Sequence, residues 1–109
     1  MSKEIVMYHR TKSCPYVTLA KRILAEAKVE YREILFDKDT EAAKRVEAWT
    51  GYLTAPTLIV ANKGEDLPFE SPADLPSGAS PRNIDRGSMI SEPSAGRLKR
   101  WLERHGFID

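Results

Sequence analysis

Cysteine is almost absent from this chain, since Cys14 is the single one among 109 residues. One cysteine excludes an internal disulfide and a zinc site built from several cysteines. It suits a reducing compartment, and we expect a cytoplasmic protein. We expect no metal ligands and no tightly bound cofactor.

Long hydrophobic runs and an excess of one charge are lacking as well. No stretch approaches the roughly 20 apolar residues of a membrane helix, and we expect no signal peptide in the residues after Met1. Seventeen basic and sixteen acidic side chains nearly cancel, so nothing favours nucleic acid or an anionic membrane as partner. The length predicts one domain over 1–109 with its own core, and we expect a monomer.

The apolar pattern predicts the element order β-α-β-α-β-β-α. The expected strands are 4–8, 31–36, 57–61 and 88–91, and the expected helices are 15 to about 28, 41–49, and a last one starting at 93 or 94. The stretch 62–87 is rich in proline, glycine and serine and has almost no periodicity, which predicts a long irregular loop. Such loops are either functional or mobile excursions without a role.

Cys14 stands where the first strand gives way to the first helix. Pro15 suits the first helical position, so Cys14 is expected at the N-terminus of that helix. Unpaired backbone N–H groups and the positive end of the helix dipole favour the thiolate there. Arg10 and Lys12 would add to this effect if they turned inward. The alternative is a buried, inert cysteine, because free cysteine is often buried.

Two motifs carry a resemblance to a known family. Cys14-Pro15-Tyr16-Val17 resembles the Cys-Pro-Tyr-Cys site of glutaredoxins, with Val17 in place of the second cysteine. The stretch 50–56, Thr-Gly-Tyr-Leu-Thr-Ala-Pro, resembles the glutaredoxin stretch that runs from Thr-Gly to Thr-Val-Pro. The resemblance implies a thioredoxin fold, in which three helices flank a central four-stranded mixed sheet.

The resemblance also implies thiol–disulfide chemistry with glutathione as co-substrate. The Cys14 thiolate would attack mixed disulfides of glutathione or a similar low-molecular-weight thiol, including glutathionylated proteins. Pro56 would be cis, and Ala55 would pair its backbone with the bound glutathione. Tyr16 and Thr54 match the family by identity, and we expect both in the binding site. Without a second cysteine, the monothiol route would be the only one open to this chain.

The sequence departs from the family where glutathione carboxylates are bound. Thr11 occupies a position where the family commonly has a cation, and Arg10 or Lys12 would have to replace it. Many members have an arginine where this chain has Leu53.

The Gly-Gly-x-x-Asp motif that follows the third strand in the family is also missing. Its nearest replacement is the segment 90–95, in which Ser94 begins the last helix and could help to hold a carboxylate. Ser91 or Ser94 could instead merely cap that helix. Another thiol could therefore take the place of glutathione.

Two other functions remain open at this stage. A non-catalytic thioredoxin-fold module could bind a partner through the loop 62–87, since fold alone does not fix function. Two subunits could also share an iron–sulfur cluster through Cys14 and glutathione, because soft thiolates suit such clusters. Pro15 argues against the cluster, since single-cysteine members that bind one usually carry Cys-Gly-Phe-Ser.

Overall fold

The structure, a computed structural model, describes residues 2–12, 14–76 and 78–108. Ser13 and Ser77, which belong to predicted loops, lie outside the described residues. Within the described ranges there are four strands and three helices in the expected order: β1 (Lys3–His9), α1 (Pro15–Glu26), β2 (Tyr31–Leu35), α2 (Thr40–Thr50), β3 (Thr57–Asn62), β4 (Met89–Ser91) and α3 (Ala95–Arg104). None of these helices is long and apolar enough to cross a membrane.

The strands form one mixed sheet in the order β2-β1-β3-β4. β1 pairs in parallel with β2 and antiparallel with β3, so that Ile5 lies between Tyr31 and Val60. β3 pairs antiparallel with β4. Residues 5–8 of β1 are fully buried, as expected for a central strand covered on both faces. The thioredoxin fold predicted from the sequence is confirmed.

Helix α1 places Cys14 at its open end. Pro15 is the first helical residue, and Cys14 precedes it in an extended conformation with φ −144° and ψ 132°. The Cys14 side chain makes no capping hydrogen bond with the described part of α1, so the thiol does not serve as the cap of this helix. The helix ends at Glu26, slightly earlier than predicted, because Lys28 adopts a left-handed φ of 57°.

Helix α2 leads the chain to the loop that faces Cys14. The Asp39 carboxylate caps its start by accepting hydrogen bonds from the N–H groups of Glu41 and Ala42. Gly51 ends the helix with φ 81°, which a residue with a side chain adopts at a cost. The chain then turns back toward β3 through residues 52–56.

The connection from β3 to β4 is irregular but firmly attached in its described part. Arg86 is 8% exposed, and its Nε donates to the Ala73 carbonyl at 2.7 Å while Nη1 donates to the Trp49 carbonyl of α2 at 2.5 Å. Phe69 packs on the core, whereas Leu67 is exposed. These contacts attach the described part of the segment to α2 and to the core.

Candidate thiol site

The Cys14 thiol lies against the turn that opens β3. Its Sγ donates a hydrogen bond to the Ala55 carbonyl oxygen, 3.7 Å away. The peptide bond between Ala55 and Pro56 is cis, as the resemblance implies. Cys14 is half-buried. The fold thus brings three of the predicted site residues together.

The backbone of Ala55 has hydrogen-bonding capacity to spare. Within the described ranges its N–H makes no hydrogen bond, and its carbonyl is approached by the Cys14 thiol alone. Ala55 is only 1% exposed, and buried backbone groups are normally paired. Within the described ranges the Ala55 N–H is therefore an unpaired donor in a residue that contacts the thiol.

A chain of four buried hydroxyl groups holds this turn in place. The hydroxyl oxygens are 2.9 Å apart between Ser91 and Thr57, 2.8 Å between Thr57 and Thr54, and 3.3 Å between Thr54 and Thr50. Thr50 in turn approaches the carbonyls of Val46 and Tyr52. Since a carbonyl accepts only, the protons run in one direction from Ser91 to Thr50. These hydrogen-bonded hydroxyl groups join β4, β3 and the end of α2 next to Ala55.

The segment between β4 and α3 closes the other side of the turn. The Glu92 N–H donates to the Pro56 carbonyl at 2.8 Å, and Glu92 itself has φ 42°. The Ser94 hydroxyl caps α3 by accepting from the Arg97 N–H at 3.3 Å. The Ser94 N–H donates to Asn83 Oδ1 at 2.9 Å. The first two N–H groups of α3 make no hydrogen bond with the described residues and point out of the helix start.

Arg82, from the end of the long loop, reaches the same site. Its guanidinium carbon lies 5.3 Å from the centre of the Tyr16 ring, and its Nε donates to the Glu92 carboxylate at 2.6 Å. The hydrogen bond to Glu92 raises the pKa of Arg82 above its usual value, with smaller electrostatic contributions from Tyr16 and Cys14. Arg82 therefore places a positive charge over the ring of Tyr16, two residues after Cys14.

Comparison with known proteins agrees with this geometry. The glutaredoxin family model matches residues 5–65, which is more than half of the chain and includes Cys14, Ala55 and Pro56. The chain belongs to the glutaredoxin family. The match ends before Arg82, so the arginine over the Tyr16 ring lies outside the matched part of this glutaredoxin.

A solved structure shows the same fold. The chain resembles the crystal structure of glutathione transferase Omega 1C from Trametes versicolor, with 18% identity and a TM-score of 0.51. The similarity covers 94% of this glutaredoxin and 37% of the transferase chain, so it spans well under half of that protein. No curated protein matches the sequence.

Arg10 and Lys12, the cations expected at the site, are exposed in the structure. Both the N–H and the hydroxyl of Thr11 donate to the Asp37 carboxylate, and the hydroxyl lowers the pKa of Asp37. Arg10 and Lys12 are exposed, and their side chains form no ion pair or hydrogen bond within the described ranges. Among the described cationic side chains, the structure brings Arg82 rather than these two into contact with Tyr16.

Several contributors to the site carry no sequence signal. Thr57 and Ser91 look like ordinary strand residues, and Arg82 lies in a segment without periodicity. The threonines at 50, 54 and 57 are the one sequence feature that could have indicated the buried network of hydroxyl groups. His9 is buried against Glu33, with 2.7 Å between Nε2 and Oε1.

Proposed function

We propose that this chain is a monothiol thiol–disulfide oxidoreductase that acts on mixed disulfides of glutathione or a similar low-molecular-weight thiol. Membership of the glutaredoxin family supports thiol oxidoreductase chemistry in general. One observation carries the finer proposal: the Cys14 sulfur lies at the N-terminus of α1 and 3.7 Å from the carbonyl of Ala55, whose N–H is unpaired among the described residues.

The reaction needs two exchanges at one sulfur. In the first, the Cys14 thiolate attacks the glutathione sulfur of a mixed disulfide, a new disulfide bond forms at Cys14, and the substrate leaves as a thiolate. In the second, the thiolate of a free glutathione attacks the glutathione sulfur that is now bound to Cys14. This restores the Cys14 thiolate and releases oxidised glutathione. The two electrons come from glutathione, so no resident cofactor is required.

The surroundings of Cys14 favour the monothiol route. Val17, which stands where other members have a second cysteine, is buried in the core. The chain has no other cysteine that could displace the bound thiol. The mixed disulfide at Cys14 is therefore reduced only by a thiol from another molecule.

The backbone around the site supports binding of a small peptide-like thiol. The Ala55 N–H and carbonyl would pair with the cysteinyl part of the ligand, as the family resemblance implies. Thr54 is buried and committed to the hydroxyl chain, so we propose that it holds Ala55 in place and does not contact the ligand directly. Near Ser94, the free N–H groups at the start of α3 would hold a ligand carboxylate.

Exposed apolar side chains beside the turn favour a protein as the second substrate. Tyr52 is 59% exposed and Leu53 is 44% exposed, and both line a groove that continues past Thr54 to Arg82 and Glu92. Large exposed apolar residues grouped at one place often mark a contact surface. We propose that glutathionylated proteins bind there with their mixed disulfide over Cys14.

Intact mass spectrometry tests the proposal. The protein is treated with oxidised glutathione and then with reduced glutathione, and Cys14→Ser serves as the control. We expect one glutathionyl adduct on the wild type, none on Cys14→Ser, and loss of the adduct when reduced glutathione is added. A wild type that gains no adduct, although a small alkylating reagent still modifies Cys14, would contradict the proposal.

A further inference from the structure

The guanidinium of Arg82 is held at one end and free at the other. Its Nε is bound to Glu92 at 2.6 Å, and Glu92 is itself well covered, with a side chain 15% exposed. Neither Nη1 nor Nη2 of Arg82 makes a hydrogen bond within the described ranges, and the side chain is 59% exposed. Two parallel N–H donors of this kind match the two oxygens of a carboxylate.

The backbone of Arg82 is fixed although it belongs to the long loop. Its N–H donates to the Ser80 hydroxyl at 3.2 Å. The next N–H, that of Asn83, donates to the Ser91 carbonyl at 2.8 Å, and Arg82 forms an isolated parallel bridge with Ser91 of β4. The free donors therefore have a defined position relative to the sheet.

The Tyr16 ring orients the same side chain. Tyr16 is two residues after Cys14 on the first turn of α1, and the guanidinium lies over its face at 5.3 Å. An arginine stacked on an aromatic ring and bound at Nε has little freedom to rotate. Arg82 also lines the groove that contains Tyr52, Leu53 and Thr54.

We propose that Arg82 selects the thiol substrate by binding a carboxylate of an anionic low-molecular-weight thiol with its two free Nη groups while the thiol's sulfur reacts with Cys14. This inference rests on the function proposed above and names its substrate class. Position 11, where the family commonly has a cation, is Thr11, and its N–H and hydroxyl are bound to Asp37. Arg82 supplies a positive charge from a different part of the chain.

The test compares an anionic with an uncharged disulfide. The rate of adduct formation at Cys14 is measured by intact mass with oxidised glutathione and with 2-hydroxyethyl disulfide. The variants are Arg82→Gln, Arg82→Lys and the control Arg100→Gln, an exposed residue of α3 without an ion pair in the described ranges. We expect Arg82→Gln to slow the reaction with oxidised glutathione about 10-fold relative to the uncharged disulfide.

The remaining variants separate a specific contact from net charge. Arg82→Lys should recover only part of the lost rate, since an ammonium lacks the planar pair of donors. Arg82→Gln leaves the Glu92 carboxylate unpaired, and that charge could repel an anionic substrate by itself. The double variant Arg82→Gln/Glu92→Gln removes both charges and should stay as slow with oxidised glutathione as Arg82→Gln.

Each outcome decides between the two proposals. A wild type that reacts with neither disulfide would refute the proposed function and this inference with it. A wild type that reacts with both, and whose ratio of rates is unchanged in Arg82→Gln, would leave the thiol chemistry intact and refute the role of Arg82. Restoration of the wild-type ratio in the double variant would also refute it, because net charge would then suffice.

Discussion

Replacing Thr57 by valine tests whether the buried hydroxyl chain holds the thiol site together. Thr57 is 0% exposed, and its hydroxyl lies between those of Ser91 at 2.9 Å and Thr54 at 2.8 Å. Valine has nearly the same shape, so packing on β3 is kept while the central hydroxyl is lost. None of the described buried side-chain polar atoms lacks a partner in the native structure, so the change creates a new defect.

The size of the effect follows from which groups lose their partners. The Ser91 hydroxyl, 2% exposed as a residue, has Thr57 as its hydrogen-bond partner in the described structure and would be left unpaired. An unpaired buried donor costs about 1–3 kcal/mol. Thr54 still donates to Thr50 and loses less. We expect Thr57→Val to lower the free energy of unfolding by about 2 kcal/mol and the melting temperature by about 10 °C.

A double-mutant cycle measured by urea unfolding separates this mechanism from general disruption. Ser91→Ala alone should cost about 1 kcal/mol, since Thr57 keeps its bond to Thr54. The double variant Thr57→Val/Ser91→Ala removes both partners and should cost about 1 kcal/mol less than the sum of the single changes. The exposed Thr18→Val on α1 is the control and should change stability by less than about 0.5 kcal/mol. Strictly additive costs, or a Thr57→Val midpoint equal to that of the wild type, would refute the reasoning.

Two further changes probe how the rest of the fold is held. Arg86→Met leaves two partly buried carbonyls without their charged donor, so we expect a loss of about 2 kcal/mol in urea unfolding, and a loss below 0.5 kcal/mol would contradict this. The Gly64 N–H lowers the pKa of Glu4, and hydrogen bonding to Lys21 lowers that of Glu33, both from 4.5. Both carboxyls bind protons more weakly in the folded state, so their stabilisation is complete above about pH 4.5 and is lost as the pH falls through their lowered values. The urea midpoint should drop from pH 6 to pH 3, and less so in Glu33→Gln.

The regular elements could be predicted from the sequence because each has a local cause. Periodic apolar residues mark the inner face of α1, Asp39 and Gly51 mark the two ends of α2, and continuous apolar residues mark β1. The position of Cys14 at the start of α1 follows from Pro15 alone. These features depend on residues close in sequence, and the structure agrees with them to within about two residues.

The contributions of the long loop could not be predicted, because they depend on contacts between distant residues. Arg82 meets Tyr16 across 66 positions of sequence, and nothing in the composition of the segment 62–87 distinguishes this arginine from other exposed ones. The hydroxyl chain combines residues from α2, β3 and β4, whose strand register must be known first. The irregular backbone itself is held by side chains, so periodicity carries no information about it.

Two arginines of this loop show how one segment serves both stability and the site. Arg86 is 8% exposed, and its Nε and Nη1 donate hydrogen bonds to backbone carbonyls, so it anchors the loop to the end of α2. In Arg82, four residues earlier, Nε donates to Glu92, whereas Nη1 and Nη2 make no hydrogen bond with the described residues. Its guanidinium lies over the Tyr16 ring. Because an exposed arginine–carboxylate pair such as Arg82 with Glu92 contributes little to folding, the proposed carboxylate ligand gives Arg82 a role that stability does not. Removing Arg86 should therefore impair folding, whereas removing Arg82 should leave the urea midpoint unchanged and alter the choice of thiol.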